Sequence, residues 1–149
     1  MLINENLVAL NLYAKNKEEA ILKLAELAQK EGKITSIDDY TKSVLDREKT
    51  YTTGVGKGIA IPHGKSKAVK EAMIVFGKSN DGIEWNSLDS KPVNLIFLLG
   101  IPDENIDNIH LKILSQLSRK LMNDDFVEML KYANTVKEVL EALNDVKVS

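Results

Sequence analysis

The order of elements along the chain predicts an α/β or α+β domain, a sheet covered by helices. Three observations carry this expectation. Residues 92–100, "PVNLIFLLG", are apolar on both faces, which fits a central strand. Several longer segments repeat apolar residues at helical spacing. Strand-like and helix-like segments also group in the order β-α-α-β-β-β-β-α-α-α, which layers helices on a sheet.

Each element follows from its own pattern. "LVALNL", residues 7–12, reads as a strand. The helix over 16–32 has Ile21, Leu24, Leu27 and Ala28 on one face, with Asn16 to cap it and Gly32 to end it. A second helix over 36–51 buries Ile37, Tyr40, Val44 and Leu45, with Ser36 as its cap. "TTGVGKG", residues 52–58, reads as a loop, and "IAI" as a short strand that stops at Pro62. "AMIVFGKS" and "GIEW" read as two strands joined by a turn at Asn80–Asp81–Gly82. Three helices close the chain. They begin near His110, at Asn123 or Asp124, and at Asn134 or Thr135.

Composition narrows the function. At 149 residues, 44% hydrophobic and 28% charged, the chain reads as one domain over 1–149 with a real core. A net charge of -2 offers no broad attraction to nucleic acid or to anionic membranes. No apolar run is long enough to cross a bilayer, and the N-terminus lacks the pattern of a signal peptide, so the expected location is cytoplasmic. The absence of cysteine excludes disulfides, thiolate nucleophiles and cysteine-ligated metals.

Gly54, Gly56 and Gly58 invite a nucleotide site, but the spacing fails. A Walker A loop needs glycine where Tyr51 stands and serine or threonine where Gly58 stands. A dinucleotide fingerprint would follow a strand and open a helix, whereas this loop follows a helix and enters a strand.

"GIAIPHGKSK" holds His63, one of two histidines. Pro62 constrains the backbone before the ring; Gly64 leaves room beside it and permits positive φ. A neutral imidazole so placed is a candidate nucleophile that attacks phosphorus, since its reference pKa is about 6.5. The alternative is a histidine that caps a turn. His110 opens a helix and shares a stripe with Leu114, Leu117 and Leu121. It is either a satisfied core histidine or a phosphate-assisting group at a helix N-terminus. Arg47, in "VLDREKT", is either a solvated helix end or a planar fork for phosphoryl oxygens. A metal site built from both histidines with Asp103, Glu104 or Asp107 lacks the usual ligand spacing. A serine hydrolase lacks its G-x-S-x-G elbow.

"LDREKTYTTGVGKGIAIPHGK" resembles the active-histidine signature of enzyme IIA domains of the bacterial sugar phosphotransferase system, fructose–mannitol type. The matching residues are Leu45, Arg47, Glu48, Thr53, Gly54, Gly56, Gly58, Ile59, Ala60, Ile61, Pro62 and His63. "VNLIFLLGIP" followed by "HLKILSQLSRKLMNDDF" fits a second segment of that family.

The resemblance implies a three-layer sandwich, with a mixed five-stranded sheet and helices on both faces. It implies that His63 accepts a phosphoryl group from the carrier protein HPr and passes it to an enzyme IIB component, with His110 and Arg47 beside it. No metal or other cofactor is implied, because the donor is itself a phosphohistidine. Fructose-type IIB units use a cysteine, so these 149 residues hold no such unit. Thr52, Thr53 and the loop N–H groups are expected as further donors to the phosphoryl group. Partners are expected to meet an apolar patch from "GIAIPHG", Ile101, Ile106 and Ile109. The sugar-uptake role, with fructose as the favoured class, stands against a nitrogen-related regulatory role in the same fold.

Overall fold

The computed structural model describes residues 2–104 and 108–147. A single 3₁₀ turn, Glu5–Leu7, leads into β1 (Val8–Ala9). Two helices follow, α1 (Lys17–Lys30) and α2 (Ile37–Thr50). Next come β2 (Gly54–Gly56), β3 (Ile59–Ala60), β4 (His63–Ser66), β5 (Met73–Ile83) and β6 (Val93–Pro102). The helices α3 (Ile109–Leu121), α4 (Asp124–Tyr132) and α5 (Val136–Leu143) complete the described chain.

The caps explain most helix starts. The side chains of Asn16, Ser36, Asn123 and Thr135 each accept a backbone N–H from the first turn of their helix. Gly32, at φ +75°, ends the first helix as expected.

The sheet is mixed and has six strands in the order β1-β5-β6-β3-β2, with β4 also paired to β6. β5 and β6 run antiparallel at its centre, and the predicted central strand is correct. Helices cover both faces. Gly77 and Lys78 are neighbours on β5 and so point to opposite sides. A Cβ on Gly77 would press on Leu24 of α1. Lys78 Nζ instead donates to the Ala133 carbonyl at the end of α4, at 2.7 Å.

Three strand expectations need correction. The "loop" at 52–58 contains β2, which turns into β3 through Gly56, Lys57 and Gly58, all at positive φ. "GIEW" is not a separate strand. β5 runs through the expected turn with a register irregularity between Lys78 and Ile83, and Trp85 lies beyond it, fully buried. The strand of residues 7–12 shrinks to Val8–Ala9.

A fourth correction concerns His63. It does not follow the end of a strand; it starts β4. β3 and β4 share one register against β6, with Ile59 opposite Leu95, Ala60 opposite Ile96 and His63 opposite Leu99. Pro62 lacks an N–H and interrupts the ladder, but its carbonyl accepts the Leu99 N–H at 3.0 Å, so pairing resumes at once.

Candidate active site

The first feature of the site is a backbone contact of the His63 ring. The Ile61 carbonyl, on the side of the strand away from β6, lies 3.0 Å from His63 Nδ1. A carbonyl only accepts, so Nδ1 carries the proton and Nε2 keeps its lone pair. The His63 ring is half-buried. Burial pushes its pKa below 6.5, and the Arg47 charge adds to that; the Ile61 hydrogen bond and the Glu48 carboxylate act in the opposite direction.

The second feature is the neighbouring ring. The centroids of His63 and His110 are 5.1 Å apart, with the planes tilted by 45°. His110 is the second residue of α3, as the sequence predicts. It too is half-buried. Its pKa is held low first by burial, then by the charges of His63, Lys65 and Arg47. Its Nε2 is buried and has no hydrogen-bond partner among the described residues. An unsatisfied ring nitrogen next to a second imidazole can take an incoming oxygen.

Helix α2 brings the third group. Tyr40 donates its hydroxyl to the Leu99 carbonyl at 2.7 Å, directly beside the His63 pairing position. Gly64 lets the helix come close. A Cβ there would overlap Ser43 Oγ and stand 2.8 Å from Val44 Cγ2. Gly64 is not at positive φ; its missing side chain serves this contact. Arg47, one turn on from Ser43, is half-buried, and its charge reaches both imidazoles. It donates to the Tyr51 carbonyl at 2.9 Å and lies 4.5 Å from the centre of the Tyr51 ring.

A buried network fixes the segment after α2. The Glu48 carboxylate accepts the Thr53 hydroxyl and the Thr53 N–H, and pairs with Lys17 Nζ at 3.4 Å. Trp85 Nε1 donates to the Thr53 hydroxyl at 3.2 Å. Thr52 donates to the Trp85 carbonyl at 2.8 Å and accepts the Gly54 N–H. Thr52 and Thr53 are therefore committed to holding the loop, and the expectation that they meet a phosphoryl group is not met. Lys17, Trp85 and Tyr51 were not singled out by the sequence. The one tryptophan of the chain, placed beside a glycine loop signature in space but thirty residues away in sequence, left no local signal.

The expected apolar patch also needs correction. Ile59, Ile61 and Ile101 are buried, and Ile109 is half-buried. Ile106 and Asp107 lie outside the described residues. Exposed apolar groups on these segments include Tyr51, against Arg47, and Leu111, next to His110 in α3, at 66% and 62% exposure. Among the described residues no group of three or more histidines or carboxylates is placed to hold a metal. Among them, too, no helix is long and apolar enough to cross a membrane.

The model of the family "Phosphoenolpyruvate-dependent sugar phosphotransferase system, EIIA 2" matches residues 1–146. The chain belongs to this family. A fructose-specific EIIA component of Haloferax volcanii is 39% identical over 140 residues, which is 94% of this EIIA chain and 90% of that protein. A fructose-specific EIIABC component of Bacillus subtilis is 35% identical over 143 residues, 96% of this chain but 22% of that protein. The chain thus spans about a fifth of that larger relative.

Two solved structures share the fold over 95% of this chain and 96% of theirs. One is the nitrogen regulatory protein IIA-Ntr of Neisseria meningitidis, with a TM-score of 0.88 and 31% identity. The other is the Escherichia coli complex of enzyme IIAMTL with phosphorylated enzyme IIBMTL, with a TM-score of 0.81 and 27% identity.

Proposed function

We propose that this EIIA chain is a phosphocarrier in which His63 Nε2 takes a phosphoryl group from a phosphohistidine on an HPr-type protein and passes it to an EIIB component. The observation that carries this reading is the Nδ1–Ile61 hydrogen bond, which leaves Nε2 as the nucleophilic nitrogen. The Nε2 lone pair forms the new N–P bond. The donor N–P bond breaks, and its electron pair returns to the donor ring. Phosphoryl transfer is catalysed mainly by positioning and charge stabilisation. Arg47 supplies charge to the equatorial oxygens, and a neutral His110 donates its Nε2 proton to one of them. Transfer between two such N–P bonds is close to balanced in energy, which suits a relay in the cytoplasm.

The fructose class is favoured by the two relatives named for it. The likeness to the Neisseria nitrogen regulatory protein favours a second reading, phosphorylation-dependent binding of a regulatory target. Transfer to a purified fructose-type EIIB separates them: the uptake reading expects rapid onward transfer, and the regulatory reading expects none. The atom assignment is tested by nitrogen–phosphorus coupling in the isotope-labelled phosphoprotein. Coupling to His63 Nε2 is expected. Coupling to His63 Nδ1 or to either His110 nitrogen overturns the assignment.

A further inference from the structure

A phosphoryl group on a side chain brings about 1.5 to 2 negative charges. The site described so far does not balance them. Arg47 is a single cation, and part of its donor capacity is spent on the Tyr51 carbonyl. The buried Glu48 carboxylate, paired with Lys17, takes up that lysine's charge and still favours the protonated form of His63. His110 is kept neutral by burial and by the cations around it. A further cation near the rings would close the balance.

β4 supplies one. Its side chains alternate, and Gly64 faces α2, where a Cβ would overlap Ser43 and Val44. His63 and Lys65 therefore project together from the opposite face, two residues apart. Lys65 is exposed, and among the described residues its ammonium has no carboxylate partner. Its charge also acts on the His110 ring and lowers its pKa. A long, flexible stem with a compact charge suits a group that swings onto an arriving anion.

We propose that Lys65 is a second cationic ligand of the phosphoryl group, reaching it from β4 while Arg47 reaches it from α2. The inference rests on phosphorylation at His63. As a ligand that tightens on the transferring group, Lys65 acts on turnover more than on capture of the donor. Any steering of the partner by its charge is a separate effect, screened by salt.

The test compares wild type, Lys65→Gln, Lys65→Arg and Lys67→Gln, with phosphorylated HPr as the donor. Lys65→Gln is expected to lower kcat about tenfold and to leave KM within about twofold, as for one lost charge-assisted contact. Lys65→Arg is expected to recover most of the loss, and Lys67→Gln to match wild type. In the unphosphorylated protein, nitrogen-15 titration should show the His110 pKa rising in Lys65→Gln, because a neighbouring positive charge is gone. That arm needs no donor. A wild-type kcat in Lys65→Gln, an unmoved His110 titration, or a loss confined to KM and erased at high salt overturns the proposal. If Lys65→Gln is wild-type while His63 is still labelled, only the Lys65 assignment falls. If wild type gains no phosphoryl group on His63, the phosphocarrier reading falls and takes Lys65 with it.

Discussion

Burial lowers the His63 pKa below 6.5, and the consequence for activity has a definite sign. With Nδ1–H held by Ile61, an added proton goes to Nε2 and removes the nucleophile. A lowered pKa therefore keeps the ring reactive to lower pH. The rate of phosphoryl acceptance, measured against pH with a donor in excess, should stay flat from about pH 8 down to about 6.5 and fall only on an acidic limb below that. A limb centred above 6.5 would show that the ring is not neutralised as described. Arg47 offers a second residue-scale outcome. Arg47 lies half-buried near the end of α2, against the exposed Tyr51. The variant should fold normally and transfer about tenfold to a hundredfold more slowly, the cost of one charge-assisted hydrogen bond. An unchanged rate would return Arg47 to a solvated helix end. That the two histidines stand together, within reach of the Arg47 charge, was legible through the family resemblance, since a rare residue type in a specific motif is a local signal. The duties of Thr52 and Thr53 were not, because Glu48 and Trp85 reach them from two other segments, with Lys17 bonded to both of those partners.

The junction of β4 with α2 brings Arg47 close enough for its charge to act on His63. Tyr40 anchors the helix to β6, and Gly64 removes the side chain that would hold it off. Gly64→Ala should cost about 1–3 kcal/mol in chemical denaturation, the usual range for overpacking a tight contact. Adding Ser43→Ala should return part of that loss, because Ser43 Oγ is the nearest obstacle while Val44 remains. A stability equal to wild type for Gly64→Ala would mean that the two elements are not in close contact. The sequence showed that a glycine follows His63, but its reason lies twenty residues earlier on another element. The same separation explains the strand errors. Glycines at 54, 56 and 58 read as loop, yet Gly54 and Gly56 join the sheet by pairing with β3. Pro62 read as a strand end, yet the ladder continues past it because only a donor was lost.

At the scale of the molecule, five strands were expected and six are present. β2 and β4 were missed, and "GIEW" was counted separately, while a sheet covered by helices was foreseen from the two-faced apolar strand and the order of elements, and its mixed character and second helical layer from the family resemblance. The fold serves one purpose near its edge. A broken strand presents His63, and helices from either side of the sheet bring Arg47 and His110 to it. The central claim is that this arrangement makes His63 the phosphoryl acceptor and His110 its assistant. The intact mass of the chain after incubation with phosphoenolpyruvate, enzyme I and HPr tests it most directly. The account predicts one added phosphoryl group on wild type, one on His110→Ala and none on His63→Ala, with His110→Ala slower in onward transfer to EIIB. A phosphoryl group added to His63→Ala at the wild-type rate would contradict it.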